Sequence, residues 1–113
     1  MNIKQIDNQF YVSGQVGYSD LQDLADQGIK SLICARPDME EGNQPVFDEL
    51  ASEAKKLGFE TLHVPIRPGQ ACGDDVEKFA TGFDKMPKPI LGFCRSGARA
   101  HALWELSNEA RGN

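Results

Sequence analysis

Residues 92–106 read GFCRSGARAHALWEL. An apolar run, PKPILGF (87–93), ends at Cys94, and a stretch with helical spacing opens at Ala98; Arg95, Ser96 and Gly97 lie between, and Arg99 sits one residue into the helix. A strand that passes into a helix through a short glycine-containing loop gathers backbone N–H groups at the helix N-terminus, where they and the helix dipole favour an anion. Gly97 supplies the backbone freedom such a turn needs. A thiol held there is stabilised as its thiolate by the amides of Arg95, Ser96, Gly97, Ala98 and Arg99 and by the Arg99 guanidinium. The stretch therefore predicts a low-pKa nucleophile, Cys94, at the mouth of an anion-binding loop. The plainer alternative is a buried strand-end cysteine followed by surface arginines.

Working outward, the chain alternates strands and helices. NIKQI (2–6) and FYVSG (10–14) read as a small β element, and Ser19 is placed to cap a helix over DLQDLADQ (20–27) that Gly28 stops. IKSLICA (29–35) reads as a buried strand and RPDMEEGNQ (36–44) as a solvated loop. PVFDELASEAKKLG (45–58) has proline in a first-turn position and Val46, Phe47, Leu50, Ala51, Ala54 and Leu57 on one face. FETLHVPI (59–66) is the next strand, RPGQACG (67–73) its loop, and Asp74 and Asp75 open a helix through about Lys85, where their charge suits the N-terminus. The last helix carries Ala102, Leu103, Leu106 and Ala110 on its inner face.

This order predicts an α/β fold: a single domain over residues 1–113 with a central, mostly parallel sheet and helices on both faces. Sites in such sheets form at the carboxyl ends of strands. Cys94 and four of the five arginines, Arg36, Arg67, Arg95 and Arg99, all follow strand-like runs and so gather at that end.

With a net charge of −5, the chain lacks the basic face that nucleic acid requires, and the arginines imply a locally positive pocket on an acidic body. Three widely spaced cysteines give neither a disulfide framework nor zinc spacing, so no metal or cofactor is expected. The N-terminal MNIKQIDNQF has no secretion-signal pattern and no apolar run approaches the ~20 residues that span a bilayer, which points to a cytoplasmic protein without a membrane partner.

The loop CRSGAR (94–99) is similar to the active-site hexapeptide of rhodanese-type sulfurtransferases. Across the whole chain, YVSGQ (11–15), ARPD (35–38), HVPIRPG (63–69) and FCRSGARA (93–100) resemble the phosphatase-like domain of the beta-lactamase-hydrolase-like family, whose fold is similar to dual-specificity tyrosine phosphatases. The resemblance implies a doubly wound α/β domain with a cysteine-centred site. Tyrosine phosphatases place arginine six positions after cysteine, whereas here Ala100 holds that position and Arg99 comes at the fifth. One residue fewer removes up to ~3.5 Å of contour, and a narrower ring suits a terminal sulfur better than three phosphoryl oxygens. Where such phosphatases carry an acid after the VPI-like strand this chain has Arg67-Pro68, and where a histidine often precedes the cysteine it has Phe93.

The residues thus favour a sulfurtransferase: Cys94 takes sulfane sulfur as a persulfide from a small anionic donor, thiosulfate or a low-molecular-weight persulfide, and passes it to a thiol. Arg36 and Arg67 are expected to steer the donor, and Cys72 is a candidate second thiol, while Cys34 belongs to the core. His63, His101 and Trp104 read as packing or surface residues, and Asp38 as a brace for a nearby arginine. The alternatives are a phosphatase that hydrolyses a phosphate ester through a Cys94 phosphoenzyme and, outside catalysis, an anion- or persulfide-binding module. The resemblance implies, for the module, a persulfide- or sulfide-oxidising enzyme as partner.

Overall fold

The computed structural model describes residues 1–110. Five strands, β1 (Ile3–Gln5), β2 (Phe10–Ser13), β3 (Ser31–Cys34), β4 (Glu60–His63) and β5 (Ile90–Phe93), form one sheet in the order β1-β2-β5-β3-β4. Only the β1–β2 pair is antiparallel; β2–β5, β5–β3 and β3–β4 are parallel. β5 is therefore the central strand, and the residue that follows it, Cys94, emerges in the middle of the carboxyl edge. The Cys94 N–H donates to the Ser13 carbonyl at 3.4 Å and the Ala35 N–H to the Phe93 carbonyl at 2.8 Å, so both neighbouring strands hold the start of the loop.

Helices α1 (Leu21–Asp26) and α2 (Phe47–Lys56) cover one face, and α3 (Gly73–Lys85) and α4 (Ala98–Ala110) the other. On the first face Leu24, Leu50 and Ala54 pack on Leu32, Leu91 and Phe93. On the second, Phe79, Phe83, Ala100 and Leu103 pack on Phe10, Ile33 and Ile90, and Trp104 stacks on Phe10 at 5.8 Å between centroids. Strands buried on both faces explain the near-continuous apolar runs of the sequence. No helix among the described residues is long and apolar enough to cross a membrane.

Several local expectations are corrected. Ser19 caps nothing: residues Tyr18–Asp20 form a 3-10 turn, and it is the Asp20 carboxylate that accepts the Gly17 N–H at 2.8 Å. Helix α2 starts at Phe47 rather than Pro45, and Val46 and Leu57, which lie beyond its two ends, are exposed instead of on its inner face. Asp38 braces no arginine; its Oδ1 accepts the Phe47 N–H at 2.9 Å and satisfies an N-terminal donor of α2. Helix α4 is rotated from the expected phase, so that Arg99, Ala100, Leu103 and Ser107 face inward while Ala102, Leu106 and Ala110 are exposed. Arg99 is drawn inward by its own partners, described below, and that sets the phase.

Candidate active site

Cys94 is fully buried, so it forms the floor of the loop and not its mouth as the sequence suggests. The Gly97 N–H donates to its Sγ at 3.0 Å. Burial is the largest single influence on the thiol and opposes ionisation, but the backbone N–H groups of Ala100, Ser96, Arg99 and Gly97 together outweigh it and hold the thiol below its ordinary value. The amide set differs from expectation: Ala100 contributes, Arg95 and Ala98 are not among the contributing amides, and the Ala98 N–H turns to Ser96 Oγ at 3.3 Å. Ser96 thus acts twice, through its amide on the thiol and through its hydroxyl at the start of α4.

Two glycines let the loop close this tightly. Gly97 has φ +98°, a left-handed conformation that side chains resist, and a Cβ there would also stand 3.2 Å from the Ser13 carbonyl oxygen. Gly14 faces the loop from the end of β2, where a Cβ would come within 2.9 Å of the Arg95 carbonyl oxygen. Gly14 has no part in the chemistry and escapes a search for reactive side chains, but it sets how closely the loop rests on the sheet.

Arg99 is buried and clasped from the loop between β3 and α2. Its Nη1 and Nη2 donate to Glu40 Oε2 and Oε1 at 2.7 and 2.9 Å, and Nη1 donates also to the Ile66 carbonyl at 2.8 Å. The bidentate bond fixes the guanidinium plane against Cys94. Hydrogen bonds from Arg99 and then Arg36 outweigh partial burial and bring the Glu40 carboxyl down to about 2, so it stands ionised. Glu40 in turn, followed by the Cys94 charge, reinforces the protonated state of Arg99 against burial.

Arg36 has a different place from the one its position implies. It is buried, with Nε on Glu40 at 2.8 Å, Nη1 on Gln15 Oε1 at 3.0 Å and Nη2 on Glu41 at 2.7 Å. These bonds tie it to the acidic loop. His63 Nε2 donates to the Arg36 carbonyl at 2.8 Å and stacks on Phe47 at 4.4 Å, which fastens the same loop to β4 and α2. Arg95, by contrast, is 72 % exposed and touches only Glu41, at 3.2 Å. It is the exposed cation of the site.

Three guanidiniums, Arg36, Arg95 and Arg99, and two carboxylates, Glu40 and Glu41, line a cavity of about 280 Å³ with Pro68. Arg67 is exposed and does not line it. Cys72 is exposed at the N-terminus of α3, with its N–H and thiol on Asp75 Oδ2 at 3.1 and 3.3 Å, a local capping arrangement that leaves it outside the cavity. Cys34 is buried, and burial pushes its thiol up to about 12, in keeping with a core residue. Glu40, Glu41, Gln15 and His63 were not legible as site residues; the one signal was a pair of glutamates in the loop that follows the first strand-end arginine.

The model of the phosphatase-like domain of beta-lactamase hydrolase-like proteins matches residues 2–111. The chain belongs to that family. A beta-lactamase hydrolase-like protein of Xylella fastidiosa is 32 % identical over 107 residues, 95 % of this chain and 25 % of that protein. Its counterpart in Agrobacterium fabrum is 30 % identical over 112 residues, 99 % of this chain and 26 % of that protein. The chain thus spans about a quarter of the length of these curated relatives. Among solved structures, a protein of Neisseria meningitidis provisionally named a phosphatase superposes with a TM-score of 0.88 at 33 % identity, covering all of this chain and 80 % of that one. The beta-lactamase hydrolase-like phosphatase domain therefore has the tyrosine-phosphatase-like fold expected of it. The comparisons favour the phosphatase alternative over the sulfur transfer that loop length suggests, since the family model and the Neisseria protein both carry phosphatase names.

Proposed function

We propose that the domain is a cysteine-dependent phosphatase acting on phosphate monoesters. The observation that carries the proposal is the ring of amides around a stabilised Cys94 thiolate, closed on one side by the Glu40-clasped Arg99. The thiolate attacks phosphorus, the S–P bond forms, and the ester P–O bond breaks with its electron pair leaving on oxygen. Water then attacks the phosphocysteine, releasing inorganic phosphate and restoring the thiolate. Inward amides and Arg99 face the equatorial oxygens, where charge resides in the transition state.

Glu40, the carboxylate that clasps Arg99, is ionised and committed to two arginines, and Arg67-Pro68 lies in the loop after β4. The leaving oxygen thus departs unprotonated, which suits substrates whose leaving group is a weak base. The test is phosphate release from a leaving-group series. General-acid assistance is worth about 10²–10⁴-fold, so without it phenyl phosphate should trail p-nitrophenyl phosphate in kcat/KM by about 10². Near-equal rates would mean that a proton donor operates, and no phosphate release from either ester would overturn the phosphatase reading. Persulfide transfer remains a second reading on one observation, the five-residue interval from Cys94 to Arg99.

A further inference from the structure

The cavity lined by Arg36, Arg95 and Arg99 does not end at the arginines. A second cavity of about 370 Å³ adjoins it, and Pro68 and Arg99 line both. Away from Arg99 its walls are apolar: Ile66, Pro68 and Ala71 from the loop after β4, and Ala98, Ala102 and Leu106 from α4. The rotation of α4 produces this wall. With Ala100, Leu103 and Ser107 turned to the core, Ala98, Ala102 and Leu106 come into line at four-residue intervals, and Leu106 is left 39 % exposed. From Ala98 to Leu106 the line runs about 12 Å, starting beside the anion-binding loop.

A charged pocket and an apolar trough that share one arginine match a ligand with a charged head and an apolar body. We propose that the trough is the leaving-group subsite of the phosphatase proposed above, and that the substrate is the phosphate ester of an extended aromatic alcohol, larger than a single ring. The proposal rests on the phosphatase reading and narrows it. Two independent features agree on the aromatic class. The trough selects for an apolar group, while the committed Glu40 selects for an alcohol acidic enough to leave as its anion, as phenols are and aliphatic alcohols are not. In the transfer step the aryl oxygen keeps the electron pair of the broken P–O bond, leaves as the phenolate, and is protonated by solvent only after release.

The test is binding, so that it stands apart from turnover. In a Cys94→Ser background, 2-naphthyl phosphate, phenyl phosphate and inorganic phosphate are titrated by calorimetry, with and without Leu106→Ser. The second ring, when buried, is worth about tenfold in affinity. The expected result is naphthyl phosphate about tenfold tighter than phenyl phosphate, and a difference that shrinks to within about twofold in the Leu106→Ser protein while inorganic phosphate binds alike in both. A variant-free measurement accompanies it: the methyl resonances of Ala98, Ala102 and Leu106 should shift with naphthyl phosphate and not with inorganic phosphate. Equal affinity for the two esters with inorganic phosphate still bound overturns the subsite alone. Failure of all three ligands to bind overturns the anion site and the subsite together. A change in oligomeric state on Leu106→Ser, with the ester preference intact, would assign the trough to contact between copies and overturn the subsite.

Discussion

Cys94→Ser abolishes turnover of p-nitrophenyl phosphate, by a factor on the order of 10⁴ or more, and leaves inorganic phosphate bound with little change. The two halves of the result have separate causes. A serine hydroxyl stays protonated where the thiol ionises, because the amides of Ala100, Ser96, Arg99 and Gly97 lower a thiol from an ordinary value of about 8.5 but have far too little influence to ionise an alcohol. Binding of the oxyanion comes from those same amides and from Arg99, none of which the substitution removes. The variant keeps its fold, since the serine oxygen takes the place of Sγ as acceptor for the Gly97 N–H. Steady-state kinetics and phosphate titration of the one variant check both halves, and a serine variant retaining a tenth of the activity would place the nucleophile elsewhere.

Arg99→Lys lowers kcat/KM by about 10²–10³-fold although the charge is kept. An ammonium on a flexible stem cannot bridge both oxygens of Glu40, bond the Ile66 carbonyl and still present a planar edge to a phosphoryl group, as the guanidinium does from one fixed position. Much of the effect passes through Glu40. Its carboxyl sits at about 2 in the folded chain against about 4.3 when unfolded, so the clasp contributes stability that is fully present above about 4.3 and lost as pH falls through about 2. Acid denaturation of Glu40→Gln should therefore be flatter across that window than wild type, with kcat/KM about tenfold lower at neutral pH. An Arg99→Lys enzyme of wild-type activity would mean that the amides alone bind the substrate.

The cysteine loop was legible because everything it needs is local. Strand, turn glycine, helix start and arginine fall within eight residues, 92–99, and their order alone dictates inward amides. The sheet was legible for a related reason, since LICA (32–35) and ILGF (90–93) are apolar throughout, as expected of a doubly covered parallel strand. What escaped depends on contacts across the chain. Glu40 meets Arg99 over 59 residues, and nothing in PDMEEGNQ distinguishes a glutamate that turns inward from one that faces water. The same loop hides the ties of Arg36: a strand-end arginine reads as a substrate ligand, and its bonds to Glu40 and Glu41 leave no mark in the sequence. The phase of α4 failed likewise, because four apolar positions on a helix define a face only when no buried charge competes, and here Arg99 does. Arithmetic along CRSGAR puts the arginine five positions after the cysteine, but counting residues does not say which oxyanion or sulfur the ring encloses.

That choice rests on what Cys94 carries during a cycle. The wild-type protein is mixed with p-nitrophenyl phosphate, quenched within the first turnovers and weighed intact, then digested to locate the adduct, with a parallel sample exposed to thiosulfate. The phosphatase account predicts an added mass of about 80 Da on the peptide containing Cys94, absent in Cys94→Ser, and no adduct from thiosulfate. A gain of about 32 Da from thiosulfate, reversed by added thiol, with no phosphorylated peptide from the ester, would contradict it and assign the site to persulfide transfer.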